Sequence, residues 1–276
     1  QWRARWQGGA LRWLAPGEAA EFALPARPDD LEPARAEAAD AGLDLAIQPA
    51  EGREKRLLIA DMDSTMIEQE CIDELAHVAG IGAQVAEITA RAMNGELDFE
   101  GALRARVGLL AGLEARVIDE VLATRITHAP GAHTLVATMR ARGAHCMLVS
   151  GGFVAFAERI AADLGFNTHR ANTLLVENGR LTGEVGMPIL GREAKIEALN
   201  AQTALLGLSP ADAIAVGDGA NDLGMLGAAG TGVALHAKPA VAAQCDIRIN
   251  HGDLTALLYL QGIAQSAFAQ GPLAPV

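Results

Sequence analysis

The fold is decided by the stretch Leu57-Leu58-Ile59-Ala60-Asp61-Met62-Asp63-Ser64-Thr65. Its first four residues are apolar and predict a short, buried parallel strand. Asp61 and Asp63 follow where that strand ends, at the edge where open α/β sheets place their ligands. An aspartate there can attack phosphorus and carry the phosphoryl group, while the second carboxylate acts as a general acid and base. A turn or a helix N-cap uses the same residue types, so this stretch alone leaves both interpretations open.

Helical patterns follow this stretch without an intervening strand, and glycines separate them. The four predicted helices are Cys71–Val78, Val85–Met93, Phe99–Leu110 and Glu114–Leu122. Because they are inserted directly after the first strand of an α/β pattern, they predict a helical cap over the end of that strand. We assign the cap to residues 70–128.

From Pro130 onward, strands alternate with helices, which predicts a doubly wound, Rossmann-like parallel sheet. The core is assigned to residues 53–69 and 129–268, and residues 269–276 to a mobile tail. Asn178-Gly179 is the strongest hairpin signal in the chain. The strands predicted here are Cys146–Val149, Leu174–Glu177, Arg180–Val185, Ala213–Val216 and Thr231–Leu235, and the helices are His133–Arg142, Phe153–Leu164, Glu193–Leu206, Asp222–Ala228 and Asp253–Ile263.

Residues 1–52 differ from the rest of the chain, and all three tryptophans lie there. Strands at Ala10–Leu14 and Ala20–Leu24, a helix capped by Asp30 and a returning strand at Leu43–Ile47 predict a small α+β module. No set of residues in this module suggests chemistry, so we expect a structural or regulatory role for it.

Three further motifs follow or approach predicted strand ends. Ser150-Gly151-Gly152 offers a hydroxyl and glycine amides to an anion, although an ordinary strand-to-helix turn explains it too. Lys195 begins a helix, where a cation opposes the helix dipole, although an exposed lysine is the commoner explanation. The last motif clusters two carboxylates and an amide, which are hard oxygen ligands suited to Mg²⁺. It reads Gly217-Asp218-Gly219-Ala220-Asn221-Asp222.

Together and in this order, the four motifs resemble the haloacid dehalogenase superfamily of phosphotransferases over residues 57 to about 255. Finer agreement makes the chain similar to the phosphoserine phosphatases of that superfamily. This agreement lies in Asp61–Ile67, Glu70–Ala76, Ala92–Phe99, Leu103–Val107, Val149–Phe153 and Gly217–Asp222. The resemblance implies a Mg²⁺-dependent phosphatase that hydrolyses O-phospho-L-serine, the last step of serine biosynthesis.

The resemblance also implies roles for single residues. Asp61 is the implied nucleophile and Asp63 the implied general acid and base, and Mg²⁺ is held by Asp61, the backbone carbonyl of Asp63, and Asp218. The residues implied to bind the phosphoryl group or to support the site are Ser150, Gly151, Lys195, Asn221 and Asp222. Those implied to bind the rest of the substrate are Glu70 for its ammonium, Arg106 for its carboxylate, and Met93 and Phe99 for apolar contact.

The chemistry of O-phosphoserine favours Glu70 and Arg106 independently. The substrate carries an ammonium, a carboxylate and a phosphate, so its site needs one anion and one bidentate cation beside the phosphate site. An exposed pair on amphipathic helices is the alternative for these two residues. The rival activities are a phosphoserine:homoserine-type phosphotransferase, a phosphatase of other small esters, and a non-catalytic binding protein on the same fold.

Composition narrows the partners. A net charge of −12 over 276 residues argues against nucleic-acid and anionic-membrane partners, which need a basic surface. Cys71, Cys146 and Cys245 are far apart and fit neither a disulfide framework nor a zinc site, so we expect reduced thiols and a cytoplasmic protein. We find no transmembrane-length run and no signal-peptide pattern, although native residues can precede Gln1. The expected partner is a small-molecule substrate, and a homodimer is compatible with the sequence.

Overall fold

The computed structural model describes residues 1–93 and 96–269, without the side chain of Met93. The predicted tail beyond Ala269 lies outside the described residues. The strands are β1 Arg12–Ala15, β2 Ala19–Glu21, β3 Leu57–Ala60, β4 His145–Phe153, β5 Thr168–Asn172, β6 Leu174–Glu177, β7 Arg180–Val185, β8 Ala213–Gly217, β9 Thr231–Leu235 and β10 Ile247–Ile249. The helices are α1 Trp2–Arg5, α2 Leu31–Asp40, α3 Cys71–Val78, α4 Gly82–Met93, α5 Phe99–Gly108, α6 Val117–Thr124, α7 Ala132–Ala141, α8 Val154–Leu164, α9 Arg192–Leu205, α10 Leu223–Ala228, α11 Pro239–Ala242 and α12 Ala256–Leu260.

A six-stranded sheet confirms the predicted α/β fold. Its strand order is β10-β9-β8-β3-β4-β5. The pairs β10 with β9, β8 with β9, and β4 with β5 run parallel. The strand order reverses its direction of growth at β3, and open α/β sheets bind ligands at such a switch point. All four residues of β3 are buried, as expected for a parallel strand covered on both faces.

The chain divides into two compact units. One contains Gln1–Ile59, Pro130–Cys146 and the chain from Leu199 onward, and the other contains Ala60–Ala129 and Met147–Ala198. The finer boundaries of core, cap and N-terminal module stay a prediction. Across the described ranges, every helix is too short or too polar to cross a bilayer.

In the first unit, the N-terminal segment is tied to the later part of the chain. β1 and β2 pair antiparallel, as the sequence indicated, and the indole of Trp6 donates to Asp30 at 2.8 Å just before α2. The guanidinium of Arg12 donates to the carbonyl of Gly262 at 3.0 Å, and the hydroxyl of Tyr259 donates to a carboxylate on the β1–β2 turn at 2.9 Å. Residues 1–52 therefore pack on the C-terminal region of their own unit.

The predicted strand Leu43–Ile47 is wrong. The carboxylate of Asp44 accepts hydrogen bonds from the backbone amides of Asn250, His251 and Gly252 at 2.8–3.0 Å. These bonds hold the segment through one side chain, whereas a strand requires its backbone to pair with a neighbouring strand. The loop directly follows β10, which the sequence analysis did not predict.

In the second unit, the helical insertion is hydrogen-bonded to the β6–β7 hairpin. The hairpin turns at Asn178-Gly179 as predicted. The amide of Gly112 donates to the carbonyl of Leu181, whose own amide donates to the carbonyl of Leu113, both at 2.8 Å. Glu114 forms an isolated antiparallel bridge with Arg180 of the hairpin, and α6 therefore begins at Val117, later than the predicted Glu114.

Candidate active site

The loop after β3 holds two aspartates in different surroundings. Asp61 is buried, whereas Asp63 is partly exposed. The carbonyl of Met62 accepts the backbone amides of Met66 at 2.9 Å and Ile67 at 3.1 Å, which turns the chain back immediately after the strand. The loop thereby keeps both carboxylates at the end of β3.

A buried ion pair joins Asp61 to Lys195. The Lys195 Nζ lies 2.5 Å from Oδ1 of Asp61, and the two side chains are only 2% and 8% exposed. Lys195 lies in the first turn of α9, where a cation opposes the helix dipole. Burial of a charge is unfavourable unless it is paired, so a buried pair at this position indicates a functional site. The alternative of an exposed lysine is wrong.

Asp63 uses both of its carboxylate oxygens. Oδ1 accepts from the backbone amide of Cys71 at 2.9 Å, at the first residue of α3. Oδ2 accepts from the hydroxyl of Ser150 at 3.1 Å, on β4. The side chain is therefore fixed from two directions while it keeps access to solvent, and both properties suit a general acid and base.

The Ser150-Gly151-Gly152 motif lies in the last part of β4. This strand continues to Phe153 instead of ending at Val149 as predicted, so the simple strand-to-helix turn is wrong. The pairing of β4 with β5 is interrupted between Val149 and Phe153. Within the interruption the amide of Gly152 donates to the Ser150 hydroxyl oxygen at 2.8 Å.

Glycines in this region permit close contacts. A Cβ atom on Gly152 would lie 2.6 Å from Oδ2 of Asp63, a distance that no larger residue tolerates without movement. A Cβ on Gly151 would lie 3.2 Å from the ring of Phe99, and one on Gly191 would lie 3.4 Å from it. The Phe99 ring, which the sequence analysis assigned to the substrate, therefore packs against two glycines, one of them in the β4 motif.

The glycine-rich loop after β8 is organised around Asp222. This side chain is fully buried, and its Oδ2 accepts from the amide of Gly219 at 3.0 Å. A Cβ on Gly217 would lie 2.4 Å from its carboxyl carbon. Asp222 thus shapes the loop that carries Asp218 and Asn221, both of them partly exposed.

The loop that carries Asp61 and Asp63 and the loop that carries Asp218 and Asp222 belong to different units. Both loops offer oxygen donors of the kind that suits a hard divalent ion such as Mg²⁺. Both side-chain oxygens of Asp63 accept hydrogen bonds, so its expected contact with a metal is through its backbone carbonyl.

Glu70 and Arg106 have separate partners. The exposed Glu70 immediately precedes α3, and its Oε1 accepts from the hydroxyl of Ser64 at 2.8 Å. Ser64 has a φ of 54°, which is uncommon for a residue with a side chain. Arg106 is partly buried in α5, where its Nε donates to the carbonyl of Ala102 at 3.3 Å. The predicted contact of Met93 lies outside the described side chains.

Two groups beside these residues have shifted pKa values. Burial raises the pKa of the Cys71 thiol, and the charge of Asp63 raises it further. This thiol is therefore protonated and inert, which supports a structural role. Burial also raises the pKa of Asp73, and the nearby Arg106 charge partly offsets that effect.

The sequence analysis missed one buried polar residue, Asn172 at the end of β5. Its Nδ2 donates to the carbonyl of Gly151 at 2.8 Å, and its Oδ1 accepts from the amide of Leu190 at 2.6 Å. The residue belongs to none of the four motifs. The only local signal for it is an amide two residues before the apolar run of β6.

Comparisons with known proteins identify a family and several relatives. Residues 58–227 match the family of haloacid dehalogenase-like hydrolases. A phosphoserine phosphatase of Streptomyces coelicolor is 44% identical over 91% of the chain, and one of Polaromonas sp. is 47% identical over 74% of the chain and 89% of that protein. A solved complex of phosphoserine phosphatase with bound substrate is 39% identical with a TM-score of 0.70, covering 74% of this chain and 97% of that one. The chain spans only 62% of the Streptomyces protein.

Proposed function

The chain belongs to the haloacid dehalogenase-like hydrolase family, and on that premise we propose that it hydrolyses O-phospho-L-serine to L-serine and phosphate. The observation that carries the proposal is the buried Asp61–Lys195 pair beside Asp63, a carboxylate fixed by the hydroxyl of Ser150. The substrate is supported by the 47% identity to the Polaromonas phosphoserine phosphatase, of which the chain covers 89%.

The proposed reaction has two displacements. Asp61 attacks phosphorus, and the bond from phosphorus to the serine oxygen breaks while Asp63 protonates that oxygen. Water, deprotonated by Asp63, then attacks the aspartyl-phosphate, releases inorganic phosphate and regenerates Asp61. Lys195, the Ser150 hydroxyl and the Gly151 amide bind the phosphoryl oxygens, where negative charge must be stabilised in both steps.

We assign a Mg²⁺ ion to the aspartate-bearing loops after β3 and β8, whose oxygen donors are of the kind that suits a hard divalent cation. Asp61, Asp218 and the carbonyl of Asp63 would hold the ion, with Asn221 and the buried Asp222 supporting their loop. When bound, Mg²⁺ supplies positive charge against the phosphoryl oxygens. Lys195 supplies one positive charge beside Asp61, and phosphoryl transfer commonly also uses a metal ion to neutralise the developing charge.

Recognition of the serine part is assigned to the inserted helices. Glu70 would pair with the substrate ammonium, since it is exposed and oriented by Ser64. Arg106 would bind the substrate carboxylate, for which a guanidinium has the matching fork of donors. Phe99 would close the apolar side, a role supported by its contact with Gly151. Residues 70–128 would then act as a cap that excludes and readmits water in each turnover.

Two further assignments complete the proposal. Residues 1–52 are assigned a structural or regulatory role, supported by their hydrogen bonds to the C-terminal part of their own unit. A cytoplasmic location is supported by three buried cysteines that form no disulfide, since proteins of oxidising compartments more often pair such residues as disulfides.

The experiment is phosphate release from O-phospho-L-serine, with phosphothreonine, phosphoethanolamine and p-nitrophenyl phosphate as comparison substrates. Each is measured with Mg²⁺ and after a chelator. The matched pair of variants is Asp61→Asn, which removes the nucleophile, and Asp163→Asn, which removes a carboxylate on the surface of α8. We expect Mg²⁺-dependent preference for phosphoserine, no turnover by Asp61→Asn, and unchanged turnover by Asp163→Asn.

Other results would change specific parts of the proposal. Equal rates on all four esters would keep the chemistry at Asp61 and remove the amino-acid specificity. Full activity in the chelator would remove the metal assignment. Turnover by Asp61→Asn at the wild-type rate would overturn the covalent mechanism.

A further inference from the structure

Asn172 uses its whole side-chain amide on backbone atoms of two other segments. It is 1% exposed. Nδ2 donates to the carbonyl of Gly151 at 2.8 Å and to that of Leu190 at 3.2 Å, and Oδ1 accepts from the amide of Leu190 at 2.6 Å. A side-chain amide has two N–H donors and one carbonyl acceptor, and all three are engaged here.

The first segment leads from Asn172 to Asp63. The carbonyl of Gly151 and the amide of Gly152 belong to one planar peptide group and point in opposite directions. When Asn172 holds that carbonyl, it therefore also fixes the amide, which donates to the Ser150 oxygen at 2.8 Å. Ser150 in turn donates to Oδ2 of Asp63 at 3.1 Å. An unbroken series of hydrogen bonds thus joins Asn172 to the proposed acid and base.

The second segment leads from Asn172 toward Lys195. Leu190 lies two residues before α9, and Asn172 binds both its amide and its carbonyl. α9 begins at Arg192 and carries Lys195 in its first turn. The same side chain thereby fixes the entry to this helix and the Ser150-Gly151-Gly152 motif, which are the two segments of this unit assigned to the phosphoryl group.

We propose that Asn172 is a positioning residue for phosphoryl transfer, which sets the Gly151–Gly152 peptide so that Ser150 is held on Asp63. The proposal rests on the function proposed above. A purely structural role, in which Asn172 only joins the end of β5 to the segment before α9, is the alternative. The two differ in one measurable respect, because positioning through Ser150 requires that Asn172 lose most of its effect on turnover once the Ser150 hydroxyl is gone.

A double-mutant cycle on kcat tests this difference. The variants are Asn172→Ala, Ser150→Ala and the double variant. Each is assayed on phosphoserine in the presence of Mg²⁺, at a temperature far below its unfolding temperature. Misplacement of a catalytic group by about 1 Å costs on the order of a hundredfold in rate, so we expect Asn172→Ala to lower kcat by at least about tenfold. In the Ser150→Ala background the same change should cost less than about threefold.

Two controls separate positioning from loss of fold. Thr138→Ala removes another buried side chain that binds the backbone, since its hydroxyl oxygen accepts from the amide of Ala269 at 2.9 Å. Its effect on kcat and the effect of Ser150→Ala should multiply in the double variant, without coupling. The second control is the thermal unfolding midpoint of each variant, because a loss of kcat that comes from positioning persists at temperatures where Asn172→Ala is fully folded.

Each outcome has one meaning. A double variant whose loss in kcat equals the product of the single losses overturns the proposal, as does an Asn172→Ala enzyme with wild-type kcat. If the proposed function itself is wrong, the result is different, because the wild-type protein then fails to hydrolyse phosphoserine. The mutant cycle could in that case still be run on p-nitrophenyl phosphate.

Discussion

Gly152→Ala places one methyl group against the proposed catalytic pair. Its Cβ would lie 2.6 Å from Oδ2 of Asp63, 3.0 Å from the Ser150 hydroxyl and 3.3 Å from the end of the Met62 side chain. The φ of Gly152 lies outside the left-handed range, so alanine can adopt the backbone conformation. The effect of the substitution therefore comes from contact and not from backbone strain.

The size of the effect follows from these distances. Ordinary contact of a Cβ atom begins at 3.4 Å, so the carboxylate oxygen of Asp63 must move from 2.6 Å by about 0.8 Å. A displacement of about 1 Å in a catalytic group costs on the order of a hundredfold in rate. We expect kcat/KM to fall by about thirty- to a hundredfold, which corresponds to about 2–2.7 kcal/mol of transition-state stabilisation.

The assay is initial rates on phosphoserine at saturating Mg²⁺, with urea unfolding measured in parallel. Gly82→Ala is the matched control, because Gly82 begins α4 and a Cβ there would meet nothing within 4 Å. That control should keep the wild-type rate and gain up to about 1 kcal/mol of stability, since alanine favours a helix over glycine. If Gly152→Ala turns over within about twofold of wild type, Asp63 does not act from the position described, and the reasoning fails.

Three other predictions concern the pairs around the site. Lys195→Met removes the cation 2.5 Å from buried Asp61. Measured in the presence of a chelator, it should lower the free energy of unfolding by about 3–5 kcal/mol, and adding Asp61→Asn should recover much of that loss. If the second substitution recovers none of the loss, the pairing is contradicted. Ser64→Ala, which removes the donor to Glu70, should raise KM for phosphoserine several-fold and leave p-nitrophenyl phosphate unaffected. Arg106→Ala should raise KM for phosphoserine far more than for phosphoethanolamine, which lacks the carboxylate, and equal increases would refute its role.

The parts of the fold that the sequence predicted well are those governed by short-range patterns. β3 is an apolar run covered on both faces, and α3 has apolar residues at helical spacing, so both were predicted with their observed limits. The Asn178-Gly179 turn was equally readable, because both of its residues adopt the positive φ that this turn requires. In each of these segments the local preference and the tertiary environment favour the same structure.

Errors arose where a distant segment decides the local structure. Leu43–Ile47 has the composition of a strand, but Asp44 binds backbone amides 206 to 208 residues away. The start of α6 was misplaced because residues from Gly112 onward pair with the hairpin, about 70 residues later. A window of sequence holds no information about such a partner, so these boundaries depend on the assembled fold.

The residues of the candidate site also differ in whether a local pattern or a distant segment reveals them. Residues such as Asp61, Lys195 and Asp218 could be proposed from the sequence because they belong to four motifs whose order resembles a known family, and their charged side chains are informative by residue type. Asn172 has no such signature, since an asparagine before a hairpin is a common turn residue. Its role depends on a backbone carbonyl 21 residues away and a backbone amide 18 residues away. Backbone groups such as these do not reveal themselves through residue type. Residues that bind through backbone groups are therefore predictable only from structure, which is why the proposed positioning residue lies outside every motif that identifies the site.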